Sequence, residues 1–138
     1  MSRTTKIAFG HRHVRQIADI TDLVTVLLPG NRNQQHAAAR ILLLLRAAHQ
    51  PISSFATLER EHAISRRTIE RTRAKLACLG LIERVTWMHR RYGGAEGWVL
   101  SSRLSTGLRQ LAERIDQWRQ TRQPGRAEKE EALLAVLW

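Results

Sequence analysis

Five cations fall within ten residues: Arg66, Arg67, Arg71, Arg73 and Lys75, opposed only by Glu70. The guanidinium of arginine donates two parallel hydrogen bonds to a phosphate or to the O6 and N7 edge of guanine; lysine adds a point charge suited to phosphate. A second basic group, His89, Arg90, Arg91 and Tyr92, adjoins Gly93-Gly94. Both clusters point to recognition of a polyanion. The other reactive residues form no constellation. Asp19 and Asp22 have no partner signal, and the six histidines are scattered. The pair His11-x-His13 is too isolated for a structural metal site. Gly93-Gly94-x-x-Gly97 lacks the following lysine and helix of a phosphate loop, so it reads as a hairpin turn. Cys78 is the single cysteine. It allows neither an internal disulfide framework nor a cysteine zinc cage. A redox switch is the alternative reading, but an isolated thiol mostly has no such role. No enzyme chemistry, cofactor or metal is expected.

The whole chain carries the same sign. Its 138 residues hold 23 Lys and Arg against 12 Asp and Glu, a formal charge of +11. Only Lys6, Lys75 and Lys129 are lysines. An arginine excess also arises from GC-rich coding, so the position of the charge matters more than its sum. Hydrophobic residues reach 43%, which marks a folding chain with a real core. The longest uninterrupted apolar run, Ala132 to Trp138, cannot span a bilayer. Met1 to Gly10 lacks the apolar stretch of a secretion signal. A small soluble protein of the cytoplasm is the expectation.

Apolar spacing indicates the elements that must position the basic clusters. Residues 1–13 read as a loose basic arm. Val14, Ile17, Ile20, Val24, Leu27 and Leu28 recur at helical spacing, although the run Leu23 to Leu28 also suits a buried strand. With the turn Pro29-Gly30-Asn31 they make up a segment over 14–35. Asn33 is placed to cap a second helix, which runs to about His49 around Ile41–Leu45. Ser53 or Ser54 caps a short helix with Phe55 and Leu58 that ends near His62-Ala63. Ile64 plugs a tight turn, and Ser65 caps the next helix, whose inner stripe is Ile69, Thr72, Leu76 and Leu79. Gly80 supplies a left-handed stop. Glu83 to His89 and Gly97 to Leu100 read as the strands of a hairpin, with Val85 and Trp87 on one face. Trp87 and Trp98 suit the packing of that hairpin better than a base-stacking platform. A long helix starts at Ser101 or Ser102 and runs to about Thr121. The sequence then breaks at Gln123-Pro124-Gly125, and a tail helix follows from Ala127 to Trp138.

The segment Phe55 to Val85 resembles the winged helix-turn-helix of bacterial transcription regulators. The likeness rests on the plug Ile64, the cap Ser65, the run Arg66-Arg67-Thr68-Ile69, and the exit Leu79-Gly80-Leu81-Ile82 into a strand. It covers residues 36–101. Helices before and after this region are laid out most like the multiple-antibiotic-resistance regulator (MarR) type. The wing tip departs from that family, because His89-Arg90-Arg91-Tyr92-Gly93-Gly94 carries no Asp-x-Arg element. Arg73 stands where related recognition helices often place leucine, at the edge of the buried stripe. The resemblance implies a mainly α fold with a small β-hairpin wing, flanked by N- and C-terminal helices. It also implies double-stranded DNA as partner and a dimer built from terminal helices.

At 100° per residue, the face opposite Ile69 and Leu76 holds Arg67, Glu70, Arg71, Ala74 and Cys78. Arg67 and Arg71 stand one turn apart, suited to guanine, and Ala74 lets the helix approach base edges. Ser65, Arg66 and Thr68 lie at the helix start, where a phosphate is favoured, and Lys75 flanks the face. Glu70 suits cytosine N4 or restrains Arg66 or Arg73. His89, Arg90, Arg91 and Tyr92 at the wing tip suit the backbone or a minor groove. Leu104, Leu108, Leu111, Ile115 and Trp118 form a coiled-coil-type seam over 102–122, either packed on its own domain or joining two copies. The tail, 123–138, is apolar at its end. The expected function is sequence-specific DNA binding by a dimeric repressor. Rival readings are a plasmid, phage or mobile-element protein, and a winged-helix module for RNA or protein. No effector is indicated.

Overall fold

The computed structural model describes residues 14–86, 95–123 and 125–138. Those residues form six helices and one two-stranded antiparallel sheet, so the fold is mainly helical. The helices are α1 (Ile20–Leu27), α2 (Arg32–Ala47), α3 (Ala56–His62), α4 (Arg66–Leu79), α5 (Arg103–Gln120) and α6 (Arg126–Leu137); the strands β1 (Ile82–Val85) and β2 (Gly97–Leu100) lie between α4 and α5. The chain divides into two units, Met1–Arg103 and Leu104–Trp138. The expected arm over residues 1–13 and the wing tip lie outside the described residues.

In the first unit α2 is the central helix. Ala37, Ala38 and Ile41 are fully buried, and Leu42 and Leu45 nearly so. Around them gather Val24 and Leu28 from the α1 segment, Phe55, Leu58, Ile64, Ile69, Leu76 and Ile82. Small alanines on the buried face let neighbouring helices approach closely, and the leucines fill the space between. Leu23 to Leu27 belong to a helix and not to a strand, and Leu28 caps its C-terminal end. That helix starts at Ile20, later than the periodicity from Val14 suggests. Asp19 stops it on the N-terminal side: its carboxylate accepts from Asp22 N–H at 3.0 Å, while Asp22 accepts from Ala18 N–H at 3.1 Å. These reciprocal caps account for two carboxylates that had no evident partner. The cap of α2 is Asn31 and not Asn33. Its side chain accepts from Gln34 N–H at 3.0 Å, and Gly30 before it takes φ +83°.

The strands pair with Ile82 opposite Leu100 and Val85 opposite Gly97. Ile52 adds a short third rung, exchanging backbone hydrogen bonds of 3.0 and 2.8 Å with Trp98. Gly97 makes that approach possible. With φ +148°, a Cβ there would lie 2.6 Å from both the carbonyl carbon and oxygen of Ile52. Gly97→Ala should therefore cost about 1–3 kcal/mol of stability through strain and overpacking. Urea unfolding reads the loss directly, and an unchanged midpoint would mean that the Ile52 segment yields freely. Beyond β2, Glu83 accepts from the Ser101 hydroxyl and pairs with Arg103 Nε, both at 3.1 Å, which ties β1 to the end of the first unit.

In the second unit no residue of α5 or α6 is buried. Trp118 Nε1 and Arg126 Nε both reach Glu130, each at 3.4 Å, which ties the end of α5 to the start of α6. Among the described residues no helix is long and apolar enough to cross a membrane.

Candidate nucleic-acid interface

Helix α4 is held from three sides. Its start is set by Ser65, in extended conformation, whose side chain accepts from Thr68 N–H at 3.2 Å. The Ser65 and Thr68 hydroxyls are also within hydrogen-bonding distance, at 2.8 Å. Before it, Ala63 takes the left-handed conformation at φ 53°, and Ile64 turns inward and is buried. The link between α3 and α4 is thus three residues long, and the apolar middle residue docks both helices. Along the inner face Ile69, Thr72 and Leu76 are buried and Leu79 is half-buried. Thr72 causes no polar penalty there, because its hydroxyl donates to the Thr68 carbonyl at 2.6 Å. At the far end Gly80, φ 90°, closes the helix with its N–H on Ala77 and Leu76 carbonyls.

That docking leaves Ser65, Arg66, Arg67, Glu70, Arg71, Ala74, Lys75 and Cys78 exposed, and Thr68 half-buried. The exposed residues are not equivalent. Arg66 Nε pairs with Glu70 Oε1 at 3.0 Å, one turn along the helix. Lys75 Nζ donates to Gln34 Oε1 of α2 at 2.9 Å. Among the described residues Arg67 and Arg71 make no ion pair or side-chain hydrogen bond, so their full donor sets face solvent. Arg73 does not join them. It is half-buried, and its guanidinium carbon lies 5.2 Å from the centre of the Trp98 ring. A planar cation over an indole face is favourable. Trp98 is further tilted against Phe55, with centroids 6.4 Å apart. The indole is therefore occupied within the protein, as its place in the hairpin suggested.

Two features escaped the sequence reading. Gln34 is 9% exposed; its spacing with Ala37, Ala38 and Ile41 puts it on the buried stripe of α2, and that spacing was the available signal. The Arg73–Trp98 contact joins residues 25 positions apart and left only the hint that Arg73 sat at the edge of an apolar stripe. The expected wing residues His89, Arg90, Arg91 and Tyr92 lie outside the described residues, as does Trp87. Along α5, Leu108, Leu111, Ile115 and Trp118 are exposed, at 39 to 59%, and Leu104 is half-exposed. Among the described residues no group of three His, Cys, Asp or Glu side chains could hold a metal ion. No family model, no curated protein and no solved structure matches this chain.

Proposed function

We propose that this chain is a winged helix-turn-helix protein of broadly MarR-like layout that binds double-stranded DNA as a dimeric transcriptional regulator. The observation that carries this reading is the outer face of α4. Two arginines whose guanidinium groups are unpaired among the described residues stand one turn apart on a helix whose inner face is locked to the core. At about 1.5 Å per residue the helix is roughly 21 Å long, suited to lying in a major groove. Arg67 and Arg71 are the base readers, and Ala74 gives clearance. Ser65, Thr68 and the open backbone N–H groups at the start of α4 take a phosphate. Arg66, balanced by Glu70, is a lesser contact. Two copies joined through α5 would set two such helices on an inverted repeat. Occupation of a promoter is the simplest means of control.

Selection from a random duplex pool at about 0.15 M salt tests this, because non-specific phosphate attraction is already weakened there. The expected result is an inverted repeat with half-site centres about 34–36 Å apart. Retention without an enriched motif would overturn sequence-specific binding and turn attention to RNA and partner proteins.

A further inference from the structure

A cleft of about 460 Å³ opens beside the C-terminal half of α4. Its apolar walls are Leu27 at the end of α1, Leu28 and Pro29 from the turn that follows, and Leu79 from α4; Gln34 and Lys75 supply its polar end, with Asn31 and Cys78 also lining it. The volume falls within the roughly 300–1,000 Å³ of small-molecule clefts. The polar end is unusual in composition. Gln34 is nine-tenths buried, and Lys75 donates to its Oε1 at 2.9 Å. Lysine cannot accept, so the amide oxygen must face the ammonium and the amide nitrogen must turn away. Among the described residues that nitrogen donates to no side chain or backbone acceptor, and Lys75 has no acidic partner. Two ammonium N–H groups and both amide N–H groups are thus open donors. A positive charge and spare donors stand against an apolar wall.

We infer that this cleft binds a monocarboxylate with an apolar tail. Its two oxygens would accept from Lys75 Nζ and Gln34 Nε2, and its tail would lie on Leu27, Leu28 and Leu79. An alcohol of the same shape lacks the charge, and inorganic phosphate lacks the tail. The site stands independently of any role of α4 in reading DNA.

The test is titration of the full isotope-labelled chain with sodium octanoate below its micelle concentration, followed by amide chemical shifts. Saturable shifts are expected at Leu27 to Gln34 and at Lys75 to Leu79. Octan-1-ol and inorganic phosphate should bind at least tenfold more weakly. Lys75→Met, which keeps the aliphatic stem but removes the partner of the Gln34 carbonyl oxygen, should weaken octanoate at least tenfold while amide shifts away from the cleft stay those of the folded chain; Lys75→Arg should stay within about threefold. Octanol binding as well as octanoate, undiminished binding by Lys75→Met, or shifts scattered over the chain would each overturn the site. None of these readouts depends on DNA, so failure of the regulatory reading leaves them unaltered.

Discussion

Replacing Arg67 and Arg71 together with alanine should erase preference among duplex sequences while leaving the protein folded. Each bidentate contact to a base edge contributes about 1–3 kcal/mol of discrimination, so the pair together account for roughly 30- to 10⁴-fold. Both side chains are exposed and make no internal ion pair among the described residues, and alanine is a strong helix former. The unfolding midpoint should therefore hold. Fluorescence anisotropy on the selected duplex and a scrambled one, over a range of salt, separates the possibilities. Base readers lose affinity on the selected duplex and little on the scrambled one. Equal losses on both, with a shallower salt dependence, would reassign the two arginines to phosphate. Arg66→Ala offers an internal comparison: its charge is already balanced by Glu70, and a smaller, sequence-blind effect is expected.

The second large effect is expected from Leu111→Glu combined with Ile115→Glu. Both residues lie mid-stripe on α5 and are about half exposed. An 18-residue helix with no buried side chain in its own unit has little to stabilise it in water. A second copy would cover the stripe, and two carboxylates at its centre would be costly to bury on both sides of a two-fold contact. Analytical ultracentrifugation should report a monomer. Affinity for a full inverted repeat should fall on the order of 100-fold, because one site no longer presents the other at high effective concentration. Binding to an isolated half-site should stay unchanged. A variant that remains dimeric would move the interface away from α5.

Most of the local architecture could be read from residues close together in sequence. Ser65 and Gly80 mark the two ends of α4 because a cap and a left-handed stop each act within three or four residues. The stripe Ile69–Thr72–Leu76 is buried as its spacing requires. The errors came where two local signals competed. Asp19 overrode an apolar pattern that continued back to Val14, and Asn31 took the capping role that Asn33 could equally have filled. The Arg66–Glu70 pair was legible because it spans one helical turn, but the contacts of Lys75 and Arg73 were not, because they join distant segments. Lys75 meets Gln34 across 41 residues, and Arg73 finds Trp98 across the hairpin. Charge density alone gave five cations, and the helical period already set Arg67 and Arg71 on the outer face; among the described residues these two make no ion pair or side-chain hydrogen bond.

The Arg73–Trp98 contact has a geometric corollary. It rivets the middle of α4 to β2, and Ile52 holds the other side of the same residue through its backbone. Helix and hairpin stem are thus set at a fixed offset, like two marks on a ruler. If α4 lies in a groove as proposed, the stretch of duplex it meets and a stretch met from the hairpin side would have to keep one rotational phase. A single base pair inserted between them turns one contact by about a tenth of a revolution relative to the other. A site altered in that way would lose one of the two contacts even though every letter it had before is still present.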